Sequence, residues 1–214
     1  MTPAPRAPGP RVIAERVIAI STSAGGLAAL RVLLGDLPAS LAAAVLVVQH
    51  LLPYRDSHLV EILRWHSSLE ICESRPALRL WCGTVYVAPP DFHLLVGIDR
   101  RLVLSSLPPL NCCRPSSDRM FASLAEVYGR DTVAVVLTGR GRDGAVGAQQ
   151  VRRMGGHVIV QDPETAEYAD MPRAALRAGA VDAVMPIGDM AGALLSLIAP
   201  PLIAPPLIAP RVPA

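Results

Sequence analysis

Residues 17–34 read Val-Ile-Ala-Ile-Ser-Thr-Ser-Ala-Gly-Gly-Leu-Ala-Ala-Leu-Arg-Val-Leu-Leu. The apolar, β-branched run Val17–Ser21 is a strand signal, Gly25-Gly26 interrupts it, and Leu27–Leu34 resumes as a helix. A strand that is apolar throughout, rather than alternating, belongs to a parallel sheet covered on both faces. The unit recurs outward from this stretch. Ala44–Gln49 is a second apolar strand, followed by a helix over Ser57–Trp65 with Asp56 or Ser57 as its N-cap. Thr84–Ala88, His93–Gly97 and Arg101–Ser105 read as antiparallel strands, the last two joined by a tight turn at Ile98-Asp99-Arg100. Ser117–Tyr128 is helical. The alternation then resumes with strands at Thr132–Leu137, Val158–Gln161 and Ala183–Met185, and helices at Ala145–Met154, Pro172–Ala178 and Asp189–Leu195. The fold class is α/β: a doubly wound, mainly parallel sheet flanked by helices, with an antiparallel hairpin insertion.

The chain has 214 residues, a length that argues for one domain with tails. Residues 1–13 form a Pro-rich leader, 14–197 the domain, and 198–214 a tail in which Leu-Ile-Ala-Pro recurs with paired prolines that block helix and interior strand alike. Half the residues (51%) are hydrophobic and 18% charged, which excludes a disordered chain. A net charge of +2 without basic runs gives no support to a nucleic-acid partner. All 20 basic residues are arginine, so mechanisms that need a catalytic lysine are excluded. The four cysteines (Cys72, Cys82, Cys112 and Cys113) lack the C-x-x-C spacing of a zinc site and read as free thiols in a reducing compartment. No metal or organic cofactor is expected. Without an apolar signal core or a run of about 18 apolar residues, neither export nor membrane insertion is expected, and the location is cytoplasmic.

Ligands of open parallel sheets bind beyond the carboxyl ends of the strands. Ser21-Thr22-Ser23-Ala24-Gly25-Gly26 follows the first strand, Gln49-His50 the second, and Thr138-Gly139-Arg140-Gly141-Arg142-Asp143-Gly144 the strand at 132–137. Serine, histidine and aspartate at one sheet edge are the inventory for nucleophilic acyl transfer. Ser23 would attack, His50 would take its proton, and Asp143 would hold the imidazole in one tautomer. Each also has a plainer reading: Ser23 as a helix cap, His50 as a structural histidine, Asp143 as the N-cap of the Ala145–Met154 helix. The order Ser…His…Asp differs from that of the α/β-hydrolases, and no G-x-S-x-G elbow is present. The glycines at 139 and 141 do not complete a phosphate-loop motif.

At these residues the sequence resembles the catalytic domain of CheB-type chemotaxis-receptor methylesterases. The resemblance rests on Ser23-Ala24-Gly25-Gly26-Leu27, Val47-Val48-Gln49-His50, Val85–Asp91 with His93-Leu94, Arg114-Pro115-Ser116 with Asp118 and Phe121, and Leu137-Thr138-Gly139 with Gly141 and Asp143-Gly144. It spans about 15–195. It implies hydrolysis of glutamate γ-methyl esters on a methylated chemoreceptor or receptor-like signalling protein, with glutamine deamidation as a related activity. It implies Ser23, His50 and Asp143 as the triad, backbone groups at Ala24 and Arg140 around the oxyanion, and Arg114, Ser116 and Asp118 on the substrate side. Ala24 stands where the family often has threonine, Arg140 where it often has an apolar residue, Cys113 where it commonly has histidine, and Ser21 where glycine is usual. A stand-alone domain without the family's receiver domain is expected. The alternative is a non-catalytic module of the same family that binds a chemosensory signalling partner.

Overall fold

The computed structural model describes residues 11–50 and 57–199. The chain enters as β1 (Val17–Thr22), α1 (Gly26–Gly35), β2 (Ala44–Gln49), α2 (Leu59–Arg64), β3 (Glu70–Glu73) and β4 (Thr84–Val87). A hairpin of β5 (His93–Val96) and β6 (Leu102–Ser105) precedes α3 (Ser117–Tyr128). The second half runs β7 (Thr132–Val136), α4 (Ala145–Arg153), β8 (His157–Gln161), α5 (Asp170–Arg177), β9 (Ala183–Met185) and α6 (Ile187–Ile198).

Seven strands form one parallel sheet in the order β3-β4-β2-β1-β7-β8-β9, and β5-β6 pair separately as an antiparallel ribbon. Every residue of β1 and β2 is buried, because alternate side chains serve opposite layers. Val17, Ala19, Leu46, Val48, Ala134 and Val136 face α3, α4 and α5 through Phe121, Leu124, Ala148, Val151 and Met171. Ile18, Ile20, Val45, Val47, Val133 and Val135 face α1 and α6 through Leu30, Leu33, Leu34, Met190 and Leu194. The result is a three-layer α/β/α sandwich. From β1 the chain winds first towards β2 and later towards β7, so the loops at its carboxyl end diverge and open a crevice there.

Several details differ from the sequence expectations. Thr84–Ala88 is not antiparallel: β4 pairs parallel with both β2 and β3. Its nearness in sequence to the hairpin suggested the wrong partner. The strand β3 escaped sequence reading because Glu-Ile-Cys-Glu is a short edge strand with exposed charged ends, which carries little apolar signal. Residues 11–13, assigned from sequence to the leader, bond to the domain through Cys82 N–H on Val12 O and a bridge from Ile13 to Trp81. Ile198, assigned to the tail, closes α6 and is buried. The rest of the leader (1–10), the proline repeat from 200 onward and the proposed Asp56 cap lie outside the described residues. No helix among the described residues is long and apolar enough to cross a membrane.

Candidate active site

Strand register brings the site together. Thr22 pairs with Gln49, so Ser23 and His50 are the next residues on neighbouring strands, and the His50 N–H bonds Thr22 O at 3.0 Å. On the other side of β1 the Ser23 N–H donates to Thr138 O at 3.1 Å, where the loop leading to Asp143 begins. Gln49 Nε2 clamps the turn by donating to Ser23 O at 2.7 Å. Two glycines permit this close approach. A Cβ on Gly26 would meet Gln49 Oε1 and Thr22 Oγ1, and one on Gly139 would lie 2.8 Å from Ser23 Cβ and collide with Met171 Sδ.

Asp143 is 3% exposed and fully engaged. Oδ2 is 2.8 Å from His50 Nε2 and accepts the Ser117 N–H; Oδ1 accepts from Ser116 Oγ at 2.8 Å and the Asp118 N–H at 3.1 Å. The carboxylate therefore caps the N-terminus of α3, where amide dipoles favour negative charge. Asp118 returns the arrangement: its Oδ1 accepts the N–H groups of Gly144 and Gly147 at 2.9 and 2.8 Å, capping α4. The N-cap of α4 offered by sequence as an alternative role for Asp143 thus falls to Asp118, from another helix. This exchange of caps locks α3 to α4 and holds Asp143 rigidly against His50.

In the neutral imidazole, Nε2–H donating to the carboxylate leaves the lone pair on Nδ1. Ser23 is half-buried, and its Oγ makes no hydrogen bond to a described residue, His50 included. Cys113 Sγ lies 4.0 Å from Nδ1. Neither the Ala24 nor the Arg140 N–H donates to a described acceptor, which leaves both free to face an oxyanion. The Arg140 guanidinium lies over the Tyr168 ring, 4.9 Å from its centroid, and the Gly139 N–H bonds Tyr168 O. Of the residues expected on the substrate side, Ser116 and Asp118 are 0% and 4% exposed and turn inward to Asp143 and α4. Arg114 is committed to Asp91 (2.5 Å) and to the carbonyls of Ser106 and Leu107. Ser117, Tyr168 and the buried His93, whose Nδ1 accepts the Ser116 N–H, also support the site. His93 and the neighbours of Ser117 stand in the segments that carry the family resemblance, but the resemblance assigns them no role; Tyr168 has no such signal, and only the fold gathers the three.

Burial works against the charged imidazole, yet the hydrogen bond to Asp143, aided by Cys113, outweighs it and raises the His50 pKa from 6.5 to about 9. Burial likewise disfavours the Asp143 carboxylate, but His50 and the α3 donors hold its pKa below 3.8. Asp118 is pushed upward by burial and by the neighbouring Asp143 charge, against the two amides it caps. The raised His50 value contributes stability that is fully present below pH 6.5 and lost as pH climbs through about 9. The depressed Asp143 value contributes stability that is present above 3.8 and lost on further acidification. Thermal unfolding between pH 6 and 10 should therefore show a falling melting temperature on the alkaline side. A His50→Gln chain should show a shallower fall; identical slopes for the two proteins would refute the coupling.

An imidazole held by a buried carboxylate, a serine hydroxyl and unspent backbone N–H groups at one edge of a doubly wound sheet are an arrangement suited to the class of carboxylic ester hydrolases. Within that class the chain belongs to the CheB methylesterase family, which residues 18–194 match. A relative from Leptospira interrogans is 37% identical over 180 residues, covering 84% of this chain and 93% of that protein. The protein-glutamate methylesterase/protein-glutamine glutaminase of Symbiobacterium thermophilum is 38% identical over 180 residues, and the match spans half of its length. The crystal structure of the Thermotoga maritima CheB methylesterase catalytic domain superposes with a TM-score of 0.82 at 33% identity, covering 86% of this chain and 98% of that one.

Proposed function

We propose that residues 14–197 form a protein-glutamate methylesterase domain that acts in the cytoplasm on glutamate γ-methyl esters of a chemoreceptor-like protein, with glutamine deamidation as a second reaction. The observation that carries this reading is the 2.8 Å His50–Asp143 contact, with Ser23 next to His50 by strand register. Ser23 Oγ attacks the ester carbonyl carbon while His50 Nδ1 accepts its proton. The carbonyl oxygen becomes an oxyanion facing the N–H groups of Ala24 and Arg140. On collapse the C–O bond to the methoxy group breaks, and His50 passes its proton to the departing methanol. Water, deprotonated by His50, then attacks the acyl-serine, and free glutamate and Ser23 are regenerated. A glutamine substrate follows the same path with ammonia leaving. Arg114, Ser116 and Asp118 act here as positioning residues. Arg114 ties the segment before α3 to Asp91, Ser116 bonds Asp143, and Asp118 holds the α4 end of the loop.

Methanol release from a methylated receptor cytoplasmic fragment, mixed with the purified chain, tests the assignment. Because His50 must be neutral to act as base, kcat/KM should rise about tenfold per pH unit and level off near pH 9, the region of the His50 pKa. Release that is independent of pH between 6 and 9, or absent while the same fragment is demethylated by a known methylesterase, would count against it.

A further inference from the structure

Cys113 is held in place more firmly than a surface thiol needs to be. Its N–H and carbonyl both bond Leu110, across a tight turn in which Asn111 and Cys112 have φ of 51° and 62°. The next residue, Arg114, is tied to Asp91. The half-buried Sγ is thereby set 4.0 Å from His50 Nδ1, the ring nitrogen that carries the lone pair once the imidazole is neutral. The thiol, the imidazole and the Asp143 carboxylate offer ligand atoms that all lie within 4.8 Å of one another.

We infer that Cys113 Sγ and His50 Nδ1 together form a binding site for a thiophilic divalent cation, with Zn2+ the best fit. Zinc takes imidazole nitrogen at about 2.0–2.1 Å and thiolate at about 2.3 Å, so a tetrahedral ion spans about 3.5 Å between the two donors. A shift of about 0.5 Å in the Cys113 side chain reaches that span. Asp143 need not leave its place. A carboxylate that accepts the second N–H of a ligating histidine fixes the tautomer and raises the basicity of the ligand nitrogen. Its negative charge also offsets part of the charge of the ion. On binding, the Cys113 S–H and the His50 Nδ1–H bonds break, both protons go to solvent, and Zn–S and Zn–N bonds form; water completes the coordination. Resting on the methylesterase reading, the further consequence is inhibition, since the ion occupies the lone pair that would take the Ser23 proton. Relatives with another residue at this position would lack the thiol ligand.

Binding is read without any substrate. Co2+ added to the full chain should produce a thiolate-to-metal charge-transfer band saturating at one ion per chain and abolished by competing Zn2+. The band should be lost in Cys113→Ser and kept in Cys112→Ser. On the unaltered protein, Zn2+ should protect Cys113, but not Cys112, from alkylation as mapped by mass spectrometry. In the esterase assay the half-inhibitory Zn2+ concentration, each variant compared with its own metal-free rate, should rise at least tenfold in Cys113→Ser. No band and no protection would overturn the site, and so would a band that follows Cys112. A band and protection without methanol release would leave the site standing and fail the esterase reading instead.

Discussion

Replacing Ser23 with alanine is expected to lower kcat for methanol release by about 10⁶-fold, the loss seen when a serine nucleophile is removed from a working triad. The residual rate would come from the oxyanion donors and from substrate binding alone. Ser23 carries little of the fold: it is half-buried, and its links to Thr138 and Gln49 use backbone groups that alanine retains. The melting temperature of the Ser23→Ala chain should therefore stay close to that of the unaltered protein, and binding of the methylated fragment should persist. A Ser23→Ala protein that keeps even one tenth of the activity would remove Ser23 from the chemistry. Cys113 would then be the next nucleophile to test, since its thiol lies 4.0 Å from His50 Nδ1.

Asp143→Asn should cost about 10⁴-fold in kcat, through His50 rather than through direct contact with substrate. The carboxylate accepts from four groups: His50, Ser116, Ser117 and Asp118. A carboxamide has one oxygen acceptor and an NH₂ that must point at something. If the oxygen stays with the α3 amides, the NH₂ faces His50 Nε2 and forces the ring to carry its proton on Nδ1. Nδ1 then has no lone pair to take the Ser23 proton, and the base is lost although every atom remains almost in place. The same change weakens the cap on α3, at a cost of about 1 kcal/mol. The diagnostic is therefore a large fall in kcat with a small change in KM, together with loss of the ionisation near pH 9 from the rate profile. A fall in activity that tracks unfolding, with the pH profile intact, would make Asp143 a structural residue only.

The reciprocal capping explains why Asp143 cannot be understood from its own segment. Asp followed by Gly ahead of an amphipathic helix is an ordinary N-cap signal, and α4 does begin two residues later. Yet Asp118 occupies that role and Asp143 is turned to α3 and His50. Ser116 shows the same displacement. It stands at the N-cap of α3, but its hydroxyl goes to Asp143 rather than to its own helix. Local sequence can say that a helix end needs an acceptor. It cannot say which part of the chain supplies it.

The parallel sheet, its buried strands and the order of the helices were legible in the sequence, because periodicity and β-branched composition act within a few residues. Ser23, His50 and Asp143 were legible as candidates for a related reason: a polar residue just past an apolar strand must lie at the carboxyl edge of the sheet. The short, charged strand β3 was not legible, nor was the parallel pairing of β4, since an edge position and a partner strand are decided by the rest of the sheet. The inward burial of Ser116 and Asp118, the commitment of Arg114 to Asp91 and the seat of Cys113 at His50 came from tertiary structure alone. Each depends on contacts between segments more than 20 residues apart, where burial makes every polar group find a partner and the fold determines which partners are within reach.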